Sequence, residues 1–577
     1  FQAEDGIRDC LLSRGLGDVY KRQDIDGAER IDRSGEAISF SSDGSILAIG
    51  SIAHGNKGHV RIYSYTPSGV SSWTQLGADI DGKESGDESG FSVSLSSDGL
   101  RVAIGSPSWR VLGTGNDRGQ VRIFDYNGSA WVQVGADIPG KTGGDNFGDS
   151  VALSSDGSRV AIGAYGHNKN GANDAGHVRI YQYTPSGSSS WTLYGDIEGE
   201  GANDNSGFSV SLSADGKRLA IGAYKNDGLS NGSRTDSGHV RIYQNTSGSM
   251  WTKLGQDIDG EAENDQSGYS VSLSSDGSRV AIGARYNDGN GAQAGHVRIY
   301  DYNGSAWVQV GTEIDGEEGS NLAGHSVSLS SDGSRVAIGA VDNDGNGSNS
   351  GHVRIYELQS NNYWSQLGSD INGEAASDSS GYSVSLSSDG SRVAIGAPNN
   401  DGTGADAGHV RIYDYVGSSW VKVGVDIDGE AAGDRSGFSV SLSSDGSKIA
   451  IGAPYNKSRY NRTNAGHTRI YSLPVDSYKY AWDVDSGGAP SDGTYRATVA
   501  GADLAGNAYS GTDSITFTLD TTAPTVTLTD TDSDNVVNVS QVVTITAGFS
   551  EAMTATPTIS ITGIVTNVIM TPVSGTN

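Results

Sequence analysis

The sequence predicts an all-β protein dominated by an eight-bladed β-propeller of four-stranded antiparallel blades. Three observations carry that prediction. The tripeptide SDG, or ADG at Asp215, recurs at Asp43, Asp98, Asp156, Asp215, Asp276, Asp332, Asp389 and Asp445, a period of 55 to 61 residues. Each copy continues into GHVRIY or a variant, ending at Tyr63, Phe124, Tyr181, Tyr243, Tyr300, Tyr356, Tyr413 and Tyr471. Inside a copy the apolar period is two residues, which marks strands. A fixed repeat of this length means stacked supersecondary units, and four short antiparallel strands per unit make a propeller blade.

The fifth copy shows how each element is justified. Tyr269, Val271 and Leu273 alternate with Ser270, Ser272 and Ser274, predicting a strand with one buried and one exposed face. SSDG then predicts a two-residue hairpin, because Asp and Gly tolerate positive φ. RVAIGA, residues 279–284, is the second strand, HVRIY at 296–300 the third, and Trp307, Val308 and Val310 belong to the fourth. A lone blade leaves an apolar face in water, so neighbours must cover it and a closed ring exposes none.

Only seven copies carry the fourth-strand tryptophan: Trp73, Trp131, Trp191, Trp251, Trp307, Trp364 and Trp420. The eighth passes from HTRIYSL into different sequence, so its last strand is expected from the N-terminal end, near Asp24. Residues 1–23 resemble translated sequencing-adaptor sequence and are expected to stand outside the fold, which would place the propeller at 24–473 and leave the native N-terminus missing. The single cysteine, Cys10, lies in that stretch, so no disulfide is expected.

A net charge of −30 argues against nucleic acid as a partner, since phosphates require a basic face. No window of this fragment approaches the eighteen or more apolar residues of a transmembrane segment. The composition suits a monomeric, well-solvated protein that is extracellular or at the cell surface.

The unit SGFSVSLSSDGSRVAIGAP followed by GHVRIYDY resembles the FG-GAP repeat of integrin-α-like propellers, with IGAP at Pro398 and Pro454. The WD-repeat, also a propeller, is a second resemblance, although the WD dipeptide is absent from the eight copies. The FG-GAP resemblance implies calcium in a D-x-D-x-D-G hairpin. Here the hairpins read SSDG or SADG, and one carboxylate cannot supply the six to eight oxygens calcium takes. Asp276, Asp445 and their equivalents are therefore expected to be turn formers.

Other places are better suited to Ca²⁺. The DIDGE connections set Asp257 and Asp259, and again Asp426 and Asp428, at alternate positions of an extended chain, where a hard cation can be shared. In the loop at 341–351, Asp342, Asp344 and Asn346 repeat the first half of a calcium loop without its closing Glu. Seven histidines, His59, His177, His239, His296, His352, His409 and His467, each precede an Arg by two residues and are expected to be structural. The tryptophans are expected to pack blade against blade. The variable loops between second and third strands are expected to crowd one face and set ligand choice. No catalytic constellation stands out, and repetition itself argues against a catalytic centre.

After Leu473 the composition shifts to Thr, Val, Ala and Ser. Residues 493–528 resemble bacterial Ig-like modules, with D-x-TAP at a join between modules, which implies a β-sandwich half module at 474–523 and a truncated Ig-like module at 524–577. The halves closing as one permuted sandwich, and a chimeric join, both remain open at this point. Asp530, Asp532 and Asp534 form a further calcium candidate, with Gln541 where a bidentate Glu would close the loop. Together the resemblances imply a non-catalytic binding or adhesion protein that engages a protein or glycan through its propeller loops. The alternatives are a fragment of a secreted hydrolase or lyase lacking its catalytic domain, and a calcium-dependent lectin.

Overall fold

The computed structural model describes residues 7–9, 21–66, 72–110, 117–185, 190–228, 234–457, 464–473 and seven strands between 477 and 572. The chain divides into two units, a ring spanning 22–471 with residues 7–9, and a C-terminal unit beginning at Ser472.

The ring holds eight antiparallel sheets, numbered here as blades 1 to 8 in chain order. Blade 5 is representative: Ser267–Leu273, Arg279–Ala284, His296–Tyr302 and Trp307–Gln309 pair in sequence order. The following Ile314–Asp315 returns to pair with His296 and Val297, so the DIDG connection is part strand rather than wholly a turn. The first strands of neighbouring blades touch one another all the way round, which makes them the innermost strands.

Blade 8 consists of Ser439–Leu442, Lys448–Ala453 and His467–Ser472, completed by Lys21–Asp26 from the other end of the chain. The expected closure is therefore present, with its strand beginning three residues before Asp24. Ile7–Asp9 pairs in turn along Gln23–Ile25 as an outer strand.

The second strands read large-small-large because they are sandwiched between blades. Val280 and Ile282 of blade 5 pack with Ala220, Val240 and Ile242 of blade 4, while Ala281 turns toward Val336 and Ile338 of blade 6. Large residues thus meet small ones across every seam, which fills the wedge at interior density. At the closing seam Ile25, Ala450 and Ile470 pack with Leu47, Ile49 and Trp73. The tryptophans also reach back, as expected: Trp307 Nε1 donates to the Leu254 carbonyl at 2.8 Å and Trp131 Nε1 to that of Leu76 at 2.7 Å.

Two local expectations are corrected. The serine face of the first strand is not simply exposed: Ser270 Oγ donates to the Gly324 carbonyl and Ser272 Oγ accepts from the Leu329 N–H, both in the next blade. Serine is small enough to let backbones approach and polar enough to bridge them. The SSDG element is also not a two-residue hairpin. Ser274 N–H donates to the Arg279 carbonyl across a four-residue loop, with Gly277 alone at positive φ of 67°. Asp276 Oδ1 accepts from Ser274 Oγ and from Ser278 N–H, consistent with a turn-forming role.

The second serine of that loop links the blades. Ser42 N–H donates to the Ser97 carbonyl, and the relay continues through Ser155, Ala214, Ser275, Ser331, Ser388 and Ser444 before returning to Ser42, each bond 2.8–3.0 Å. A second ring lies at the opposite ends of these strands, where a glycine of each blade bridges to Ser, or in two places to Phe147 and Ala323, of the next, and Ser34 with Gly466 closes the set.

In the C-terminal unit, Ser477–Asp483 pairs with Val542–Gly548 and with Thr571–Pro572. Gly493–Ala500 lies between Ser514–Leu519 and Thr558–Ile561, the last of which pairs with Val565–Ile569. These pairings cross residue 523.

Candidate functional site: the axial mouth of the loop face

Most of what the repeat encodes is structural. The arginine of each HVRIY strand donates to a carbonyl in the DIDG segment of the preceding blade, as Arg298 does to Asp259 O at 2.6 Å, and all eight copies do so. The histidines two residues earlier are buried, and burial next to an arginine holds them neutral, His296 at about 3 and His59 at about 2. A buried aspartate that the sequence reading passed over pins seven of the eight turns, Asn321 standing in its place before blade 6. Asp265 Oδ2 accepts from Glu261 N–H and Ala262 N–H and from the Asn287 side chain at 3.1 Å.

The sequence-nominated calcium residues have protein partners. Asp257 Oδ1 accepts from Lys253 Nζ at 2.8 Å, and the Asp259 carboxylate lies 3.9 Å from His239 Nδ1. In the 341–351 loop, Asp344 Oδ1 accepts from Asn349 N–H and Asn346 Nδ2 donates to the Gly373 carbonyl. Burial and the neighbouring Asp344 raise Asp342 above the usual carboxylate range. Asp530, Asp532 and Asp534 lie outside the described residues.

One break in symmetry falls at the residue after the glycine at the start of each innermost strand. Around the ring this position holds Glu36, Phe91, Asp149, Phe208, Tyr269, His325, Tyr382 and Phe438, all half-buried. From Phe208 to Phe438 the rings form a continuous arc, with successive centroids 5.3, 5.5, 5.2 and 5.4 Å apart. Tilted ring pairs at such spacing attract through their quadrupoles as well as by area. Arg285 adds its guanidinium 3.6 Å above the Tyr269 ring and is held by Gln266 Oε1 at 3.0 Å.

The other side of the mouth is acidic. Burial pushes the Asp149 carboxyl up to about 7, with the nearby Glu88 charge adding to the effect. Glu36 is raised by burial, against the opposing pull of Arg33, whose guanidinium lies 3.1 Å from Glu36 Oε2 and donates to Tyr455 Oη at 2.8 Å. Glu88 itself accepts from Ser108 Oγ at 2.7 Å. One side of the mouth thus offers a run of aromatic faces and the other two carboxyls flanking Phe91, on the face where the second-to-third-strand loops emerge. This ring was missed in the sequence because the position after that glycine reads as ordinary drift until closure brings the eight copies together.

No curated protein matches the chain. Among solved structures, the Dos1 propeller aligns with a TM-score of 0.45 and 13% identity, covering 78% of this chain and 94% of that one. A proposed 6-phosphogluconolactonase from Bacteroides uniformis aligns with a TM-score of 0.42 and 11% identity, covering 66% of this chain and 96% of that one. Residues 258–300, from the DIDG segment before blade 5 to the end of its HVRIY motif, match the FG-GAP repeat family.

Proposed function

We propose that the chain is a non-catalytic binding protein, extracellular or at the cell surface, that engages a protein or glycan ligand at the axial mouth and the loops around it. The observation that carries the reading is the break in symmetry. Seams and turns repeat closely from blade to blade, whereas the mouth alone combines an aromatic arc with an acidic arc. Half-buried aromatic faces suit the apolar faces of sugars or apolar side chains, and the carboxyls beside them accept hydrogen bonds from hydroxyl or amine groups. The Ig-like modules suggested by the C-terminal sequence act on this view as spacer or anchor.

A glycan array and a panel of extracellular-matrix proteins, probed with the full chain and with a Tyr269→Ala/Tyr382→Ala variant, test the reading. Binding by the parent that the variant loses supports it. Equal binding by both removes the mouth as the site, and turnover of a bound glycan would favour a hydrolase or lyase instead.

A further inference from the structure

The acidic connections and the buried histidines meet at the seams between blades. In blade 6 the His352 side chain is 1% exposed and its Nδ1 makes no hydrogen bond. That nitrogen lies 3.7 Å from Glu317 Oε2, which comes from the connection out of blade 5. Asp370 completes the group, and one ligand atom from each of the three residues lies within 4.8 Å of the others. From this convergence we infer that Glu317, His352 and Asp370 form a binding site for a divalent transition-metal ion of the zinc class, a property separate from ligand capture at the mouth.

The donor set fits that ion. One imidazole nitrogen with two carboxylate oxygens is a borderline N/O site, which zinc accepts at about 2.0–2.2 Å, whereas calcium takes oxygens alone. Tetrahedral bonds of that length set neighbouring ligands about 3.3 Å apart, so the 3.7 Å approach of His352 to Glu317 needs to close by a few tenths of an ångström and the wider group by at most about 1.5 Å. Burial keeps the imidazole neutral, with its nitrogen lone pair available. Burial raises Glu317 and the facing Asp370 carboxylate raises it further, a repulsion that a cation between them relieves. Glu317 is 41% exposed, which leaves a coordination position open to water.

The other groups of similar composition are already satisfied from within. In Asp32, His54 and His59, and in Asp145, His167 and His177, a second histidine Nδ1 sits 3.2 Å and 3.0 Å from the carboxylate. His59 with Asp79 and Asp81 shares its imidazole with the first of these. In Glu374, His409 and Asp426, Lys422 Nζ lies 2.8 Å from Asp426 and supplies the positive charge. Blade 6 has Gln366 at that place, whose amide donates to Asp370 Oδ1 at 2.6 Å without bringing charge. Arg354, the nearest cation to Glu317 at 3.9 Å, donates to the Asp315 carbonyl.

The chain itself supplies the control substitution, because blade 2 has Gln120 where blade 6 has His352. The full chain, stripped with chelator, is titrated calorimetrically with ZnCl₂ alongside His352→Gln and the more exposed Asp370→Asn, with circular dichroism to check that each is folded. Zinc uptake by the parent at this site is expected to weaken at least about tenfold in both variants, and visible absorption from bound Co²⁺ to disappear in His352→Gln. Failure of the parent to take up zinc, or variants that bind zinc as the parent does, overturns the assignment. A response to CaCl₂ alone that both variants share with the parent also overturns it.

Discussion

Gln23 grips Trp73 at both main-chain atoms: its Nε2 donates to the Trp73 carbonyl at 2.8 Å and its Oε1 accepts from the Trp73 N–H at 2.5 Å. Gln23 belongs to the strand that completes blade 8, and Trp73 to the fourth strand of blade 1. The contact therefore straddles the one seam whose two sides come from opposite ends of the ring sequence.

Truncating Gln23 to alanine leaves two buried backbone groups unpaired, at about 1–3 kcal/mol each. Gln23→Ala is expected to lower the guanidinium unfolding midpoint accordingly. Gln75→Ala, whose amide reaches the exposed Asp79 and the Gly77 carbonyl two residues on, is expected to change stability by no more than about 0.5 kcal/mol.

Acid is expected to unfold the ring steeply. Burial holds His59, His177, His239, His296, His325, His352 and His409 at about 2 to 4, against 6.5 when free. Above 6.5 these groups are neutral in both states and contribute no pH dependence. As pH falls through 6.5 the unfolded chain takes up protons that the folded chain refuses, so stability drops until the folded values are reached. Denaturant titrations at pH 7.5 and 5 measure the slope, and His296→Gln is expected to reduce it by about one proton.

Asp149 carries the opposite dependence. Its folded value of about 7 lies above the usual carboxylate value of 3.8, so the unfolded chain ionises first and stability falls as pH rises from about 4 to 7. Asp149→Asn is expected to raise the melting temperature by about 1–3 °C at pH 8 and to leave it unchanged at pH 4. Scanning calorimetry at the two pH values decides it.

Gly283 marks how closely the blades approach. A Cβ there would stand 2.2 Å from the Gly324 carbonyl oxygen and 2.4 Å from Ser270 Oγ, and the first of these is backbone of the next blade. Gly283→Ala is expected to cost about 3 kcal/mol or more, read as a lower denaturant midpoint with loss of protection in blades 5 and 6 by hydrogen exchange.

What could be read from the sequence divides along a physical line. The blade, its strands and the turn role of Asp276 follow from periodicity and local backbone chemistry, and one copy contains them all. The missing fourth strand of blade 8 was legible because its absence at Ser472 and the surviving DIDG near Asp24 are both sequence facts. Properties that exist only between blades were not. Ser270 and Ser272 look solvent-facing until the neighbouring blade supplies their partners, and Glu36 and Asp149 look like drift until the ring sets them opposite an aromatic arc. His352 and Glu317, 35 residues apart in the chain, became a pair only when the connection from blade 5 was laid across the start of the third strand of blade 6.

The Ser444–Ser42 link, the last in the relay of turns, fixes when the molecule can be finished. Within the ring, residues 21–26 are made well before their partner strand at 467–472, and joining ends separated by more than four hundred residues carries an entropic cost of about 5 kcal/mol. During synthesis the early blades wait as an open arc with two unsatisfied edges. Their exposure to aggregation is governed by translation time, and a chaperone that shields an edge strand would raise the yield of this protein more than one that accelerates any single blade.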